Sequence, residues 1–244
     1  MRPEIDINCD LGEGMANDAE IMAFITSCNI ACGGHAGDTR SMQKTVALAV
    51  KHGVKIGAHP AFPDKENFGR KILLMSNDEL STSLHSQVMA LRQITEAQGS
   101  KLHHIKPHGA LYNLACQDRE MAQLICRLVQ SIQADLILYA PDESEMSKIA
   151  KQKNIPVMFE GFADRAYQAD GSLVSRHASN ALLTTSEEVL RQAGMMLSQQ
   201  AVMSVEGEMI PLKVDTLCVH SDTPHALALV RSLHTEFVMN ENKI

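Results

Sequence analysis

Residues 41–60 read SMQKTVALAVKHGVKIGAHP. The first part sets Met42, Val46, Ala49 and Val50 on one helical stripe and stops at Gly53, a residue suited to a left-handed C-terminal cap. The second part, VKIGAHP (54–60), is a short apolar run closed by histidine and proline, which suits a buried parallel strand. A helix feeding such a strand is half of a β/α repeat, so the fold turns on how often the pattern recurs.

It recurs along the whole chain. Similar apolar runs lie at IDINCDLG (5–12), CNIACGG (28–34), HHIKPHG (103–109), ADLILYAP (134–141), PVMFEGFAD (156–164) and TLCVHSD (216–222). Between them stand helical stretches. One opens with a Ser-x-x-Glu capping box at Ser76 and Glu79 and closes at Gly99; Asp38 is placed to cap another. Residues 203–215 differ and read as a hairpin turning near Glu206-Gly207. Strands alternating with helices imply a parallel sheet. About seven units without a composition break predict one α/β domain over residues 1–244, a closed TIM-like β/α barrel, with an open doubly wound sheet as the alternative.

The composition narrows the function. With 45% hydrophobic and 21% charged residues in 244, the chain is ordinary for a globular protein. A net charge of −7 argues against nucleic acid as a partner. No secretory leader or membrane-length apolar run is visible, so a cytoplasmic protein without membrane attachment is expected; a homo-oligomer is compatible with the sequence. The six cysteines include no C-x-x-C pair and read as small buried thiols.

Polar residues gather where the runs end: Asn8, Asp10 and Glu13; Asn29 and His35; His59; Lys106, His108, Tyr112 and Asn113; Glu160, Asp164 and Arg165; His220 and Asp222. In a parallel barrel these ends open onto one face, where active sites of the architecture lie. Asp10, Glu13, His35, His59, Lys106 and His108 are the catalytic candidates for acid–base work. Lys106 suits either an oxyanion or a barrel carboxylate. Asn8, Asn29, Asp164, Arg165, His220 and Asp222 are candidates for binding substrate or phosphate. A divalent metal is a competing use, with Asp10, His35 and His59 as first candidates and His108 and His220 behind them. Of the remaining histidines, His52, His85, His103, His177, His225 and His234 read as solvated or capping, whereas His104 could face the barrel. The glycine-rich NIACGGHAGD (29–38) lacks the lysine and hydroxyl of a P-loop and the spacing of a dinucleotide fingerprint. No G-x-S-x-G elbow occurs.

Six segments in order, NCDLGEG (8–14), NIACGGHAGD (29–38), IGAHPAFPDKENFGR (56–70), HIKPHGALYN (104–113), EGFADRAYQADGSLVSR (160–176) and CVHSDTPHA (218–226), resemble the motifs of the LamB/YcsF family. The resemblance implies a seven-stranded barrel of the glycoside hydrolase/deacetylase type. It implies a 5-oxoprolinase activity: opening of the lactam of 5-oxoproline to L-glutamate, coupled to hydrolysis of ATP, with partner subunits B and C. The family's motif residues fall on Asp10, Glu13, His35, His59, Lys106, His108, Asp164, Arg165, His220 and Asp222. With no P-loop here, ATP is expected wholly or partly on the partner subunits or in an atypical site. The alternative is a stand-alone metal-dependent deacetylase or amidohydrolase acting on a small amide. Three residues depart from the family pattern: Cys28 for alanine, Gly34 for a large apolar residue, and Ser221 for glycine. Gly34 is expected to open space beside His35, and Ser221 to matter if its backbone needs positive φ.

Overall fold

The computed structural model describes residues 5–176 and 178–239; His177, expected to be solvated or capping, lies outside them. Nine strands are present among these residues: β1 (Asp6–Leu11), β2 (Ser27–Ala31), β3 (Lys55–His59), β4 (Leu102–Ile105), β5 (Ile137–Ala140), β6 (Val157–Phe162), β7 (Ala201–Met203), β8 (Met209–Pro211) and β9 (Thr216–His220). Strands β1 to β6 and β9 close a barrel in the order β1-β2-β3-β4-β5-β6-β9, each parallel to its neighbours. The closed arrangement, rather than the open sheet, is the one adopted. Strands β7 and β8 form the expected antiparallel hairpin.

The opening stretch folds as its pattern predicts. Its helix spans Thr39–His52, capped at the start by Asp38, whose side chain accepts from the Ser41 amide at 2.7 Å, and at the end by Gly53 at φ 70°. Met42, Val46 and Ala49 are buried, but Val50 is 43% exposed and Thr45 takes the inward place instead. At about 100° per residue Met42, Thr45, Val46 and Ala49 centre on one face, and Val50 falls at its edge on the side away from Thr45. The helix Asn77–Ala97 starts on the predicted Ser76–Glu79 capping box, and Ser186–Gln199 uses Thr185 and Glu188 likewise.

The barrel is apolar outside and polar inside. In β1 the side chains alternate: Ile7, Cys9 and Leu11 join the hydrophobic layer under the helices, while Asp6, Asn8 and Asp10 are buried on the other face. Each fully buried leucine or isoleucine of that outer layer contributes about 1.5–3 kcal/mol. The inner face follows the register: Asp10 stands beside Asn29 of β2 and His220 of β9, and Asn8 beside Cys218. Barrels of this kind usually fill their interior with branched aliphatic residues; this one fills it with a hydrogen-bonded polar column. Among the described residues, no helix is long and apolar enough to cross a membrane.

Candidate active site at the barrel mouth

The column begins at Asp6, whose carboxylate accepts from Ser27 Oγ at 2.7 Å, Thr216 Oγ1 at 2.7 Å, Thr26 Oγ1 at 2.8 Å and the Tyr139 hydroxyl at 3.1 Å. One layer up, His104 Nε2 donates to Asn29 Oδ1 at 2.7 Å and its ring stacks on Tyr139 at 3.9 Å. Its place inside the barrel is the one its sequence position allowed. Gly57, its neighbour on β3, has no Cβ because one would sit 2.0 Å from His104 Nε2. Asn29 Nδ2 passes the network upward, donating to Asn8 Oδ1 and Asp10 Oδ1, both at 2.8 Å.

The next layer carries the charges. Lys106 Nζ lies 2.9 Å from Asp10 Oδ1, 2.9 Å from Glu160 Oε1 and 3.1 Å from Cys218 Sγ. Its hydrogen bonds go to Asp10 Oδ1, Cys218 Sγ and, at 3.4 Å, Asn8 Oδ1, while Glu160 Oε1 is an ion-pair neighbour, so of the two uses expected for Lys106 the geometry supports the buried ion pair, with its three N–H donors already engaged. Burial alone would depress the lysine, but the charge of Asp10 and its neighbours raises it well above its usual value. Burial likewise pushes Asp10 up, yet His59 and Lys106 hold its carboxyl well below the carboxylate range. Glu160 also accepts from the Tyr112 hydroxyl at 2.8 Å, and burial keeps that phenol protonated. Cys218 is thus a buried thiol against a cation rather than a bland core residue; Cys9, Cys28, Cys32 and Cys126 are buried thiols as expected, and Cys116, expected to be one, is only half-buried at the surface of its helix. All six cysteines are free.

At the mouth, four residues from separate segments converge, His59 from the end of β3 and the others from beyond the ends of β1, β2 and β4. Glu13, His35, His59 and His108 are buried and bring one ligand atom each within 4.8 Å of the others. Glu13 Oε1 is 2.8 Å from His35 Nε2, and His108 Nδ1 is 2.9 Å from His59 Nε2. His35 and His108 stack in parallel at 3.6 Å. Burial lowers the basicity of both rings, that of His108 strongly. Behind them Phe68 holds a left-handed backbone at φ 55° and presents its carbonyl to His108 Nε2 at 2.9 Å. Gly69 follows at φ 62°; a Cβ there would meet His35 Cβ at 2.8 Å and His108 Cδ2 at 3.0 Å, so only glycine fits both the backbone and the space. Of the first metal candidates, His35 and His59 are in this cluster, while Asp10 groups instead with Cys218 and His220.

On the opposite side His220 Nδ1 lies 3.1 Å from both oxygens of Asp164, which also accepts from Thr223 Oγ1. A carboxylate can only accept, so the neutral ring carries its proton on Nδ1 and offers Nε2 as a base. Burial would raise Asp164, but His220 and Thr223 bring it down to about 2. The remaining candidates stand apart. Asp222 pairs with Arg70 at 2.6 Å and Arg176 at 2.8 Å on the rim. Arg165 is buried, with Nη2 donating to Val174 O of its own loop at 2.7 Å, and Asn113 is exposed.

Two expectations about the departures are corrected. Gly34 does not open space beside His35: Gln87 fills it, and a Cβ would lie 2.4 Å from Gln87 Oε1. Gln87 in turn accepts from Ala61 N at 3.0 Å and donates to Ala61 O at 2.9 Å. The described non-glycine residues with positive φ are Phe68, Glu143, Asn154, Gln200 and His225, so Ser221 carries no left-handed strain.

Comparison with known proteins shows the family and the fold. The chain matches the LamB/YcsF family over residues 5–244. It is 45% identical over 230 residues to the A subunit of 5-oxoprolinase from Tolumonas auensis, covering 92% of each chain. The crystal structure of the lactam utilization protein from Thermus thermophilus has a TM-score of 0.87 at 36% identity, covering 95% of this chain and 96% of that one. An Enterococcus faecalis protein named for cellobiose-phosphate cleavage shares the fold alone, with a TM-score of 0.57 at 12% identity over 98% of this chain and 93% of that one. A match that runs from Ile5 to the last residue, joined to relatives of the same length, makes this chain a member of the LamB/YcsF family.

Proposed function

We propose that the chain is the A component of an ATP-dependent 5-oxoprolinase, opening the lactam of 5-oxo-L-proline to L-glutamate while ATP becomes ADP and phosphate, together with subunits B and C. The observation that carries this reading is the 45% identity, over 92% of both chains, to a protein named as the A component of 5-oxoprolinase. The cluster of acids and bases at the barrel mouth gives that identity a chemical site.

A lactam is a poor electrophile because its nitrogen lone pair is delocalised into the carbonyl. ATP removes that obstacle by placing its γ-phosphoryl group on the lactam oxygen. One water then adds to the carbon, the C–N bond breaks, and the nitrogen leaves as the amine with a proton delivered to it. A second water attacks the acyl carbon of the resulting acyl phosphate, the C–O bond breaks, and phosphate leaves with the former lactam oxygen, leaving glutamate. In this chain Asp10, held ionised by Lys106, or Glu13 serves as base for water, and His220, oriented by Asp164, moves the proton for the amine. Phosphoryl transfer from ATP is assigned to a site shared with or supplied by the partner subunits.

Reconstitution with subunits B and C and lactam carrying oxygen-18 in its carbonyl tests the reading. The label is expected in the released phosphate, with one ADP formed per glutamate. Unlabelled phosphate would overturn the proposed sequence of activation at the lactam oxygen followed by water attack at the acyl carbon, and glutamate made without ATP or partners would favour the alternative, a stand-alone metal-dependent amidohydrolase. The four converging ligand atoms of Glu13, His35, His59 and His108 are the observation that keeps that second reading in view.

A further inference from the structure

We infer that Glu13, His35, His59 and His108 form a binding site for one divalent first-row transition metal ion of the zinc class, whichever of the two functional readings holds. The inference comes from counting protons on the rings. His59 Nδ1 faces the Lys106 carbonyl at 2.7 Å, and His108 Nε2 faces the Phe68 carbonyl at 2.9 Å. A carbonyl oxygen can only accept, so both of those nitrogens carry hydrogen. In neutral rings the two remaining nitrogens, His59 Nε2 and His108 Nδ1, then hold lone pairs, and they point at each other across 2.9 Å. Two lone pairs at that distance repel unless a positive charge lies between them.

A shared proton would satisfy that pair alone. A metal ion also collects what surrounds it: Glu13 Oε1 lies 3.5 Å from His108 Nδ1 and 3.9 Å from His59 Nε2, and His35 Nε2 lies 2.8 Å from the same carboxylate oxygen. Metal–ligand bonds of about 2.0–2.2 Å give ligand–ligand edges of about 2.8–3.6 Å between octahedral and tetrahedral limits; the spacings above are 2.8, 2.9, 3.5 and 3.9 Å, three within that range and the Glu13–His59 spacing just beyond it. The outer N–H of each of the two rings bound to a backbone carbonyl is the support that metal-ligating histidines use to fix tautomer and orientation. Three imidazoles and one carboxylate suit zinc, manganese or iron over calcium or magnesium. Gly69 admits no larger residue behind the rings, and His35 and His108, stacked in parallel at 3.6 Å, turn out of parallel when both in-plane lone pairs meet one ion. Asp10 stays outside the set: Lys106 and Asn29 engage one oxygen, and the other is 3.3 Å from His59 Nε2, a neighbour of the site.

The test is metal content of the full chain, independent of lactam turnover. The protein is stripped with a chelator, dialysed against Zn(II) or Co(II), and assayed by elemental analysis and visible absorption. One ion per chain is expected, with the strong visible bands of low-symmetry Co(II). The double variant His35→Ala/His59→Ala is expected to lose the ion, whereas His85→Ala, on the exposed side of the Asn77–Ala97 helix, retains it. If the double variant does not fold, the wild type still decides: Zn(II) raises its unfolding temperature if the native state holds the ion. Wild-type protein that neither retains metal nor gains thermal stability from it, or a folded double variant that still binds one ion per chain, overturns the inference.

Discussion

Replacing Lys106 by methionine asks most of the barrel interior. Lys106 is 2% exposed and holds two buried carboxylates, Asp10 and Glu160, each at 2.9 Å. Methionine fills nearly the same volume but leaves both acids uncompensated. Removing one partner of a buried ion pair costs about 3–5 kcal/mol, a large part of the roughly 5–15 kcal/mol that stabilises a domain. The assay is equilibrium urea unfolding followed by circular dichroism at pH 7.5 and pH 5. In the wild type Asp10 titrates well below the ordinary carboxylate range, so its contribution is constant between those pH values. Without Lys106 the effect of burial on Asp10 is less opposed, the neutral acid is favoured, and the penalty shrinks as pH falls. Adding Glu160→Gln to the variant is expected to cost less than the two separate effects summed, because the residues share one network. A penalty below about 1 kcal/mol that does not change with pH would mark an exposed-type pair and refute the argument.

Three further outcomes follow from the same contacts. Burial lowers His104 well below the usual histidine value, so the unfolded chain takes up a proton before the native one does. Stability is fully present above about pH 6.5 and is lost as pH falls below it, by about 1.4 kcal/mol per unit; unfolding of wild type and His104→Gln between pH 7.5 and 5.5 should differ by about that amount, and equal slopes would contradict it. Gly34→Ala forces Gln87 off both Ala61 contacts and is expected to cost about 2 kcal/mol, at about 1 kcal/mol per hydrogen bond. Gly34→Ala/Gln87→Ala should then unfold no more easily than the weaker single variant, and simple additivity would show the two sites to be independent. Asp164→Asn removes the carboxylate that holds the His220 proton on Nδ1; with all three subunits present, kcat should fall by about 10²-fold or more with KM little changed, and an unaltered kcat would take His220 out of proton transfer.

The fold was legible because each β/α unit is written locally: an apolar run, a polar strand end, a capped helix. Ser76 with Glu79, Asp38 and Gly53 mark boundaries that depend only on neighbours a few residues away. The strand ends pointed to the mouth for the same reason, since parallel strands deliver all their C-terminal ends to one face. The depth of the polar column below the mouth is less plain in the sequence. Its signal is the two-residue alternation Asp6, Asn8, Asp10, repeated in Thr216, Cys218, His220, which puts every second side chain into the lumen. Read that way, Asp6, Thr216 and Cys218 belong with the site, and the same parity pairs His104 with Lys106. The role of Gly34 was not legible at all, because Gln87 reaches it from a distant helix and packing across the fold leaves no mark on the local sequence. Arg165 reads as a free cation at a strand end, yet its loop folds back so that Val174 O holds it.

The central claim is that the mouth of this barrel performs chemistry on the lactam, with Asp10 inside the reacting machinery. The direct measurement is glutamate release from 5-oxoproline and ATP by the chain reconstituted with subunits B and C, comparing wild type with a folded Asp10→Asn variant. Asparagine keeps the shape and the neighbour Asn29 but removes the charge that Lys106 stabilises. Glutamate release is expected to fall by about 10²-fold or more while the variant still assembles with its partners. Wild-type glutamate release from Asp10→Asn would contradict it.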